Sequence, residues 1–251
     1  MKTGVLLSIR EKSTRFPGKV LKVMHGQTIT EHLIDRLKMA KLVDTIIIAT
    51  SDDPRDDVFV PMAKGKNISI FRGSRQDKLK RYLDAADAFG LDAVIIIDGD
   101  DNLCFPEFVD KTADLLRNGQ YDGIFWKGLP IGAASSGLTA GALKKVMALK
   151  AENDTEVWGG YFIGSGYFNV LITDVEEPFN HPDIRMTLDY EEDFDFFKAV
   201  FDELYPVNPL FSSSDVMNLL VHRKPHLNEI NREAQAKFED HLTKAAPVRF
   251  K

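Results

Sequence analysis

The sequence predicts an α/β fold, a mostly parallel sheet with helices on both faces. Three observations carry that prediction. Four short runs, GVLLSI (4–9), TIIIAT (45–50), ISIFR (68–72) and AVIIID (93–98), are nearly continuous in apolar residues, the pattern of strands covered on both faces. Helical patterns separate them, and strands alternating with helices pair in parallel because a helical crossover returns the chain in the same direction. A chain of 251 residues, 44% hydrophobic and 28% charged, is ordinary for a globular protein that buries one sizeable core.

Taken in order, the first strand runs straight into REKSTRFPGK (10–19). Thr28 to Met39 spaces Ile29, Leu33, Leu37 and Met39 among charges, a helical pattern. Asp53 before Pro54 reads as an N-cap and first helical residue, with Pro61 expected to end or kink that helix. Lys78 to Phe89 places Leu79, Tyr82, Leu83, Ala86 and Phe89 on one face. Further on, Phe194, Phe197, Val200, Phe201 and Leu204 form a helical core stripe. After Tyr205 the character changes: PVNPLF reads as a linker, Ser212 with Asp215 as a capping box, and NEINREAQAKFEDHL (228–242) as a charged helix. The expected division is a main domain over 1–204 and a helical extension over 205–251, which packs on the domain or contributes to a homodimer.

Composition excludes several classes of function. A net charge of −6 and a pI near 5.6 oppose nonspecific nucleic-acid binding, which needs a broad basic surface. Cys104 is the only cysteine, so neither an intrachain disulfide nor a cysteine-based zinc site can form. No stretch reaches the roughly 18 apolar residues of a membrane span, and the N-terminal apolar run is too short for a signal peptide. A cytoplasmic protein without nucleic-acid or membrane partners is expected. Neither G-x-x-x-x-G-K-[ST] nor G-x-G-x-x-G follows the first strand, which argues against a P-loop enzyme or a dinucleotide-binding protein. GGYFIGSG (159–166) is glycine-rich but lacks strand context, and reads as a flexible loop.

In parallel sheets the ligand sits beyond the carboxyl ends of the strands. The four loops there supply Ser8, Arg10, Ser13, Arg15 and Lys19; Thr50, Ser51 and Asp52; Arg72, Gly73 and Ser74; and Asp98, Gly99, Asp100 and Asp101. Cations and backbone amides suit a polyphosphate, and carboxylates opposite suit a hard divalent cation bridging to it. The mixture is that of a nucleoside triphosphate with magnesium. Each group also has a plainer reading. Loop cations commonly form a solvated face, the aspartates cap turns, Asp189 caps the helix that follows it, and Arg72 pairs with Asp77. None of the six histidines stands out; His181 in FNHPDIR orients a loop, and Trp126 and Trp158 are packing residues.

The residues Ile9-Arg10-Glu11-Lys12-Ser13-Thr14-Arg15-Phe16-Pro17-Gly18-Lys19 match the pattern A-R-x-x-S-x-R-x-P-G-K, and VDTIIIATSDDPRDD (43–57), FRGSRQDKLKRYLDAA (71–86), IDGDD (97–101) and RMTLDYEEDFDFF (185–197) follow in order. On these motifs the sequence resembles the cytidylyltransferases that activate acidic sugars with CTP. The resemblance is to the spore coat polysaccharide biosynthesis protein F group, related to CMP-Kdo and CMP-sialic acid synthetases. It implies a Rossmann-like fold of the nucleotide-diphospho-sugar transferase (glycosyltransferase A) type and a nucleotidyltransferase domain over 1–204. By family position, Arg10, Lys19 and Asp100 are the catalytic candidates, with Lys19 on the phosphoryl group under attack. Ser8, Ile9, Ser13, Arg15, Arg72, Gly73, Ser74 and Asp98 are the substrate-binding candidates, and Asp100 and Asp189 the ligands of Mg2+. The sequence departs from the pattern at Ile9, where a small residue is usual, and at Asn102, where G-D-x-P is common.

The implied reaction transfers CMP from CTP to an acidic sugar or a phosphorylated or phosphonylated acceptor, releasing pyrophosphate, for surface polysaccharide or glycoconjugate precursors. The acceptor would be chosen between Tyr121 and Asn169, where the loop 128–141 is rich in Gly, Ala and Ser and Lys127 is the nearest cation. Two other readings stand beside it. Asp98-Gly99-Asp100 has the D-x-D form of nucleotide-sugar glycosyltransferases, and Asn102 is compatible with a catalytically silent nucleotide-binding protein.

Overall fold

The computed structural model describes residues 1–242 and 248–251. Its first half comprises β1 (Thr3–Ser8), a small hairpin of β2 (Val23–Met24) and β3 (Gln27–Thr28), α1 (Ile29–Leu37), β4 (Thr45–Ser51), α2 (Phe59–Gly65), β5 (Ser69–Gly73), α3 (Lys78–Phe89) and β6 (Ala93–Asp98). There follow α4 (Pro106–Asn118), β7 (Gly123–Lys127), β8 (Ser136–Thr139), α5 (Ala140–Leu149), β9 (Val170–Asp174), α6 (Glu191–Leu204), α7 (Ser213–Met217) and α8 (Arg232–Leu242). Seven strands form one sheet in the order β5-β4-β1-β6-β8-β7-β9. All pairings are parallel except those of β8 with β6 and β7.

β1 lies inside the sheet, between β4 and β6, because it can be covered on both faces: all six of its residues are buried, and Ser8 aligns with Ala49 and Asp98 on its neighbours. That register brings the loops after β1, β4 and β6 to one rim. α1 begins at a capping box between Thr28 and Glu31, and α3 begins at Asp77, whose carboxylate accepts from Lys80 N. α3 ends at Gly90, in the left-handed region with φ +61, a conformation glycine adopts without strain.

Pro61 does not end a helix. The segment capped by Asp53 is a 3-10 turn over Pro54–Val58, and Pro61 falls in the first turn of the separate α2, where its missing N–H has no partner to lose. The chain after Tyr205 shares a core with α6: Phe211, Val216, Leu219 and Leu220 pack with Phe196, Phe197 and Phe201. Arg36 of α1 donates to the carbonyls of Cys104 and Phe211, tying α1 to that segment. Burial pushes the Cys104 thiol up to about 12, so it remains a neutral packing group.

Candidate active site

The loop after β1 is a shaped turn. Phe16 N donates to Ser13 Oγ, Lys19 N to Phe16 O, and Gly18 has φ +67, so the Pro-Gly pair turns the chain back and delivers Lys19 inward. Beyond the strand ends lies a cavity of about 700 Å³. Its lining includes Ser8, Ile9, Arg10, Ser13, Arg15 and Lys19 from the first loop, Asp98, Asp100 and Asp101 from the loop after β6, and Asp189 from before α6. Of the sequence-predicted residues, these are brought together.

Lys19 is 7% exposed. Its Nζ donates to Asp100 Oδ2 at 3.0 Å, Asp189 Oδ1 at 3.1 Å and Leu188 O at 2.5 Å. Burial opposes the charge, but the two carboxylates outweigh it and hold the ammonium pKa above its ordinary value. Asp189 is 1% exposed. Burial works against its ionisation too, and Lys19 and Arg15 prevail, holding it below the carboxylate range. Arg15 pairs directly with Asp189 Oδ1, and Arg185 donates to Oδ2 at 3.0 Å. Asp189 is not the cap of α6: Asp193 reaches back to accept from the backbone N of Asp189 and Tyr190. Asp101 lies beside these groups, and burial together with Asp100 and Asp98 raises its pKa well above the ordinary value.

Arg10 donates to Arg75 O at 2.8 Å and to Glu156 at 2.7 Å. Asp98 accepts from Lys78 Nζ at 3.1 Å, and the same ammonium pairs with Glu156 at 3.2 Å. Ser8 Oγ accepts from Tyr82 Oη at 2.8 Å. Ile9 is buried against Gly99: a Cβ on Gly99 would lie 2.5 Å from Ile9 Cγ1, so the larger residue is accommodated by the glycine opposite. Asn102 is fully buried and donates to Ile29 O at 3.2 Å, anchoring the start of α1.

Arg72, Gly73 and Ser74 do not line the cavity. Arg72 turns to the outer edge of the strand ends, donating to Ser51 O and Asp53 O and pairing with Asp57. The alternative pairing with Asp77 is not formed, because that carboxylate is buried against Lys150 Nζ at 2.6 Å. Ser74 O instead accepts from Arg81. Lys127 is exposed beside Asp174 and is not part of the lining. Trp158 packs among Tyr82, Phe125 and Phe162, and Trp126 donates to Thr112 Oγ1; His181 faces Glu177 outside the cavity.

The cavity also holds residues that sequence reasoning missed: Lys78, Arg81, Glu156, Thr187, Ile131, Gly132 and Phe238. Lys78 and Arg81 carried a usable signal, two cations three apart on the buried face of α3 beside Tyr82. Glu156 and Phe238 carried none, being brought in by distant chain.

Magnesium needs one or two carboxylates, with substrate phosphates and waters completing an octahedron. Asp100 and Asp189 converge on a single point, the ammonium of Lys19, and fit such a partly substrate-held ion. Among the described residues no group of three His, Cys, Asp or Glu side chains is placed to hold a metal without substrate.

The mostly parallel sheet, with a cationic loop facing two convergent carboxylates at its strand ends, has the architecture of a nucleotidyltransferase. A cytidylyltransferase family model matches residues 5–201, and the chain belongs to that family of CTP-dependent nucleotidyltransferases. It resembles the spore coat polysaccharide biosynthesis protein SpsF of Bacillus subtilis, 26% identical over 227 residues, covering 88% of this chain and 94% of that one. A solved cytidylyltransferase from Leptospira borgpetersenii superposes with a TM-score of 0.81 at 26% identity, over 90% of this chain and 96% of the other. A CMP:2-keto-3-deoxy-manno-octonic acid synthetase complexed with CTP shares the fold, with a TM-score of 0.63 at 12% identity over 81% and 99% of the two chains.

Proposed function

We propose that the protein transfers CMP from CTP to a small anionic acceptor, an acidic sugar or a phosphorylated or phosphonylated compound, with Mg2+ bound and pyrophosphate released. One observation carries this reading: Lys19 lies between Asp100 and Asp189 on the same loop as Arg10 and Arg15. Arg10 and Lys19 would hold the triphosphate, with Arg15 bracing Asp189. An acceptor oxygen attacking the α-phosphate in line builds negative charge on the equatorial oxygens and on the departing pyrophosphate, and fixed cations stabilise it without a covalent intermediate. Asp100 and Asp189 would hold the metal, which supplies Lewis-acid charge and a lowered pKa for the acceptor oxygen. No catalytic histidine is required.

The glycosyltransferase alternative would use Asp98 and Asp100 as a D-x-D pair, but a diphosphate-sugar donor does not require the cationic loop that brings Arg10, Arg15 and Lys19 to the cavity, which favours the cytidylyl reading. The similarity to SpsF supports a role in making precursors of surface polysaccharide or glycoconjugate. No helix among the described residues is long and apolar enough to cross a membrane; a cytoplasmic setting and a homodimer are further parts of the proposal.

The test is pyrophosphate release from each of the four nucleoside triphosphates with magnesium, across acidic-sugar, phosphorylated and phosphonylated acceptors. Release with CTP that requires an acceptor and is lost in Lys19→Ala and Asp100→Ala is expected. Sugar transfer from UDP or GDP donors would replace the reading, and CTP binding without turnover on any acceptor would favour a silent nucleotide-binding protein.

A further inference from the structure

Resting on the metal reading of Asp189, a second conclusion follows from the chain beyond α6, which returns to the cavity. Arg185 is 4% exposed. Its guanidinium donates to Asp189 Oδ2 at 3.0 Å, to Asp193 Oδ1 at 2.9 Å and Oδ2 at 3.1 Å, and to Gln235 Oε1 at 2.8 Å. Asn231, 1% exposed, donates to Arg185 O at 3.1 Å and to Asp193 Oδ1 at 2.9 Å. Asp193 in turn accepts from Asp189 N at 2.8 Å. The ring of Phe238 lies 5.4 Å from the Arg185 guanidinium carbon and 5.6 Å from that of Arg15.

These contacts fix Asp189 from behind. One carboxylate oxygen is tied to Arg185, which leaves the other directed at Lys19 and the cavity. The Arg185 guanidinium is held on two sides, by Asp193 within the family region and by Gln235 from the C-terminal segment, while Asn231 holds the Arg185 backbone carbonyl and Asp193. Partners that orient a ligating carboxylate hold its angle toward the ion, and their loss typically weakens metal affinity or activity about 10–100-fold.

We propose that Asn231 and Gln235 are positioning residues for Asp189, acting through Arg185, so that α8 and the turn before it complete the active site. A tail that only covered the core would support stability alone. The Phe238 ring, facing the guanidinium groups of Arg15 and Arg185, forms part of the cavity wall.

The test uses the full chain with Asn231→Ala, Gln235→Ala and Gln235→Glu, the last keeping the oxygen that Arg185 needs. Mn2+ is the probe. Its affinity for the CTP-saturated protein is read by water-proton relaxation, which separates protein-bound ion from ion on free CTP, and kcat, KM and Tm are measured alongside. Gln235→Ala is expected to weaken Mn2+ binding about tenfold and to lower kcat with KM for CTP unchanged; Gln235→Glu restores both. Asn231→Ala behaves as Gln235→Ala at temperatures well below its own Tm. Lowered Tm with wild-type Mn2+ affinity and kcat would overturn the proposal and leave the tail a packing role. Should Asp189→Asn itself leave Mn2+ affinity unchanged, the metal reading of Asp189 falls, and the proposal with it.

Discussion

Lys19 Nζ lies 3.0 Å from Asp100 Oδ2 and 3.1 Å from Asp189 Oδ1, so one ammonium bridges two carboxylates that arrive from separate segments, the loop after β6 and the turn before α6. The contact is made without substrate, and in the proposed reaction a cation already held near the developing negative charge would stabilise it with little reorganisation. The same contact is structural as well, because deleting it removes the ammonium paired with Asp100 while Asp189 keeps Arg15 and Arg185.

Lys19→Met is therefore expected to lower kcat for pyrophosphate release by about 10²–10³, the scale for losing one fixed donor to a developing anion. The variant also loses the ammonium that bridges Asp100 and Asp189. Millimolar Mg2+ should consequently raise the Tm of Lys19→Met more than that of the wild type; an equal rise in both would show that the carboxylates do not share a cation site.

The pKa shifts around this contact set a pH window. Asp189 is held below its ordinary value, so its contribution to stability is present above the unfolded carboxylate pKa of about 4 and is lost as pH falls through the lower folded value. Lys19 is held above its ordinary value, so its contribution is present below about 10 and is lost as pH rises through the folded value. Asp101 has the opposite sign to Asp189. Its raised pKa means that folding opposes ionisation, and the cost grows as pH climbs above about 4. Asp101→Asn should then raise Tm near neutrality and not at pH 4, and a pH-independent difference would contradict that account.

Much of this was legible before any coordinates. All four apolar runs are strands; β1, β4 and β6 are largely buried as expected, whereas β5, at the sheet edge, is only half-buried, and α3 runs from Lys78 to Phe89 as its spacing implies. The cationic loop could be placed because a parallel sheet puts the ends of β1 and β6 on one rim. What stayed hidden depends on contacts between distant segments. Glu156 reaches Arg10 across 146 positions and Asn231 reaches Asp193 across 38, and no local pattern marks either. Arg72 stands at the end of β5 as the motif places it, yet its guanidinium turns toward Asp57, a choice made by side-chain direction at a strand terminus rather than by position in the chain.

Gly132 tests how closely the cavity wall is built. It has φ +86, and a Cβ there would meet Met186 O at 2.4 Å, while Ile131 on its flank bonds to Ile184 O and Met186 N. Gly132→Ala adds left-handed backbone strain to a clash with a backbone atom that cannot swing away. A loss of about 1–3 kcal/mol in unfolding free energy is expected, read by urea denaturation, and any loss below half a kilocalorie per mole, roughly the scale of a neutral surface change, would show that the two segments separate easily.

Lys150 and Asp77 make the strongest stability prediction. Both are buried, at 4% and 5% exposure, with Nζ to Oδ2 at 2.6 Å, and the same ammonium donates to Glu152 O while Thr155 donates to Asp77 Oδ1. The pair fastens the segment carrying Glu156 to the first turn of α3, which carries Lys78. Lys150→Met leaves the Asp77 carboxylate without its counter-ion, and breaking a buried pair on one side costs about 3–5 kcal/mol. Arg55→Ala, which removes an exposed partner of Asp53, should leave stability nearly unchanged, because water screens an exposed pair. The sharper consequence concerns the cavity: with its anchor gone, Glu156 no longer holds Arg10 and Lys78 in fixed positions, so KM for CTP should rise in Lys150→Met at temperatures where the variant is fully folded. A fall in Tm with KM unchanged would mean that Glu156 keeps its place without Lys150, and that the clamp is positioned by the β1 loop alone.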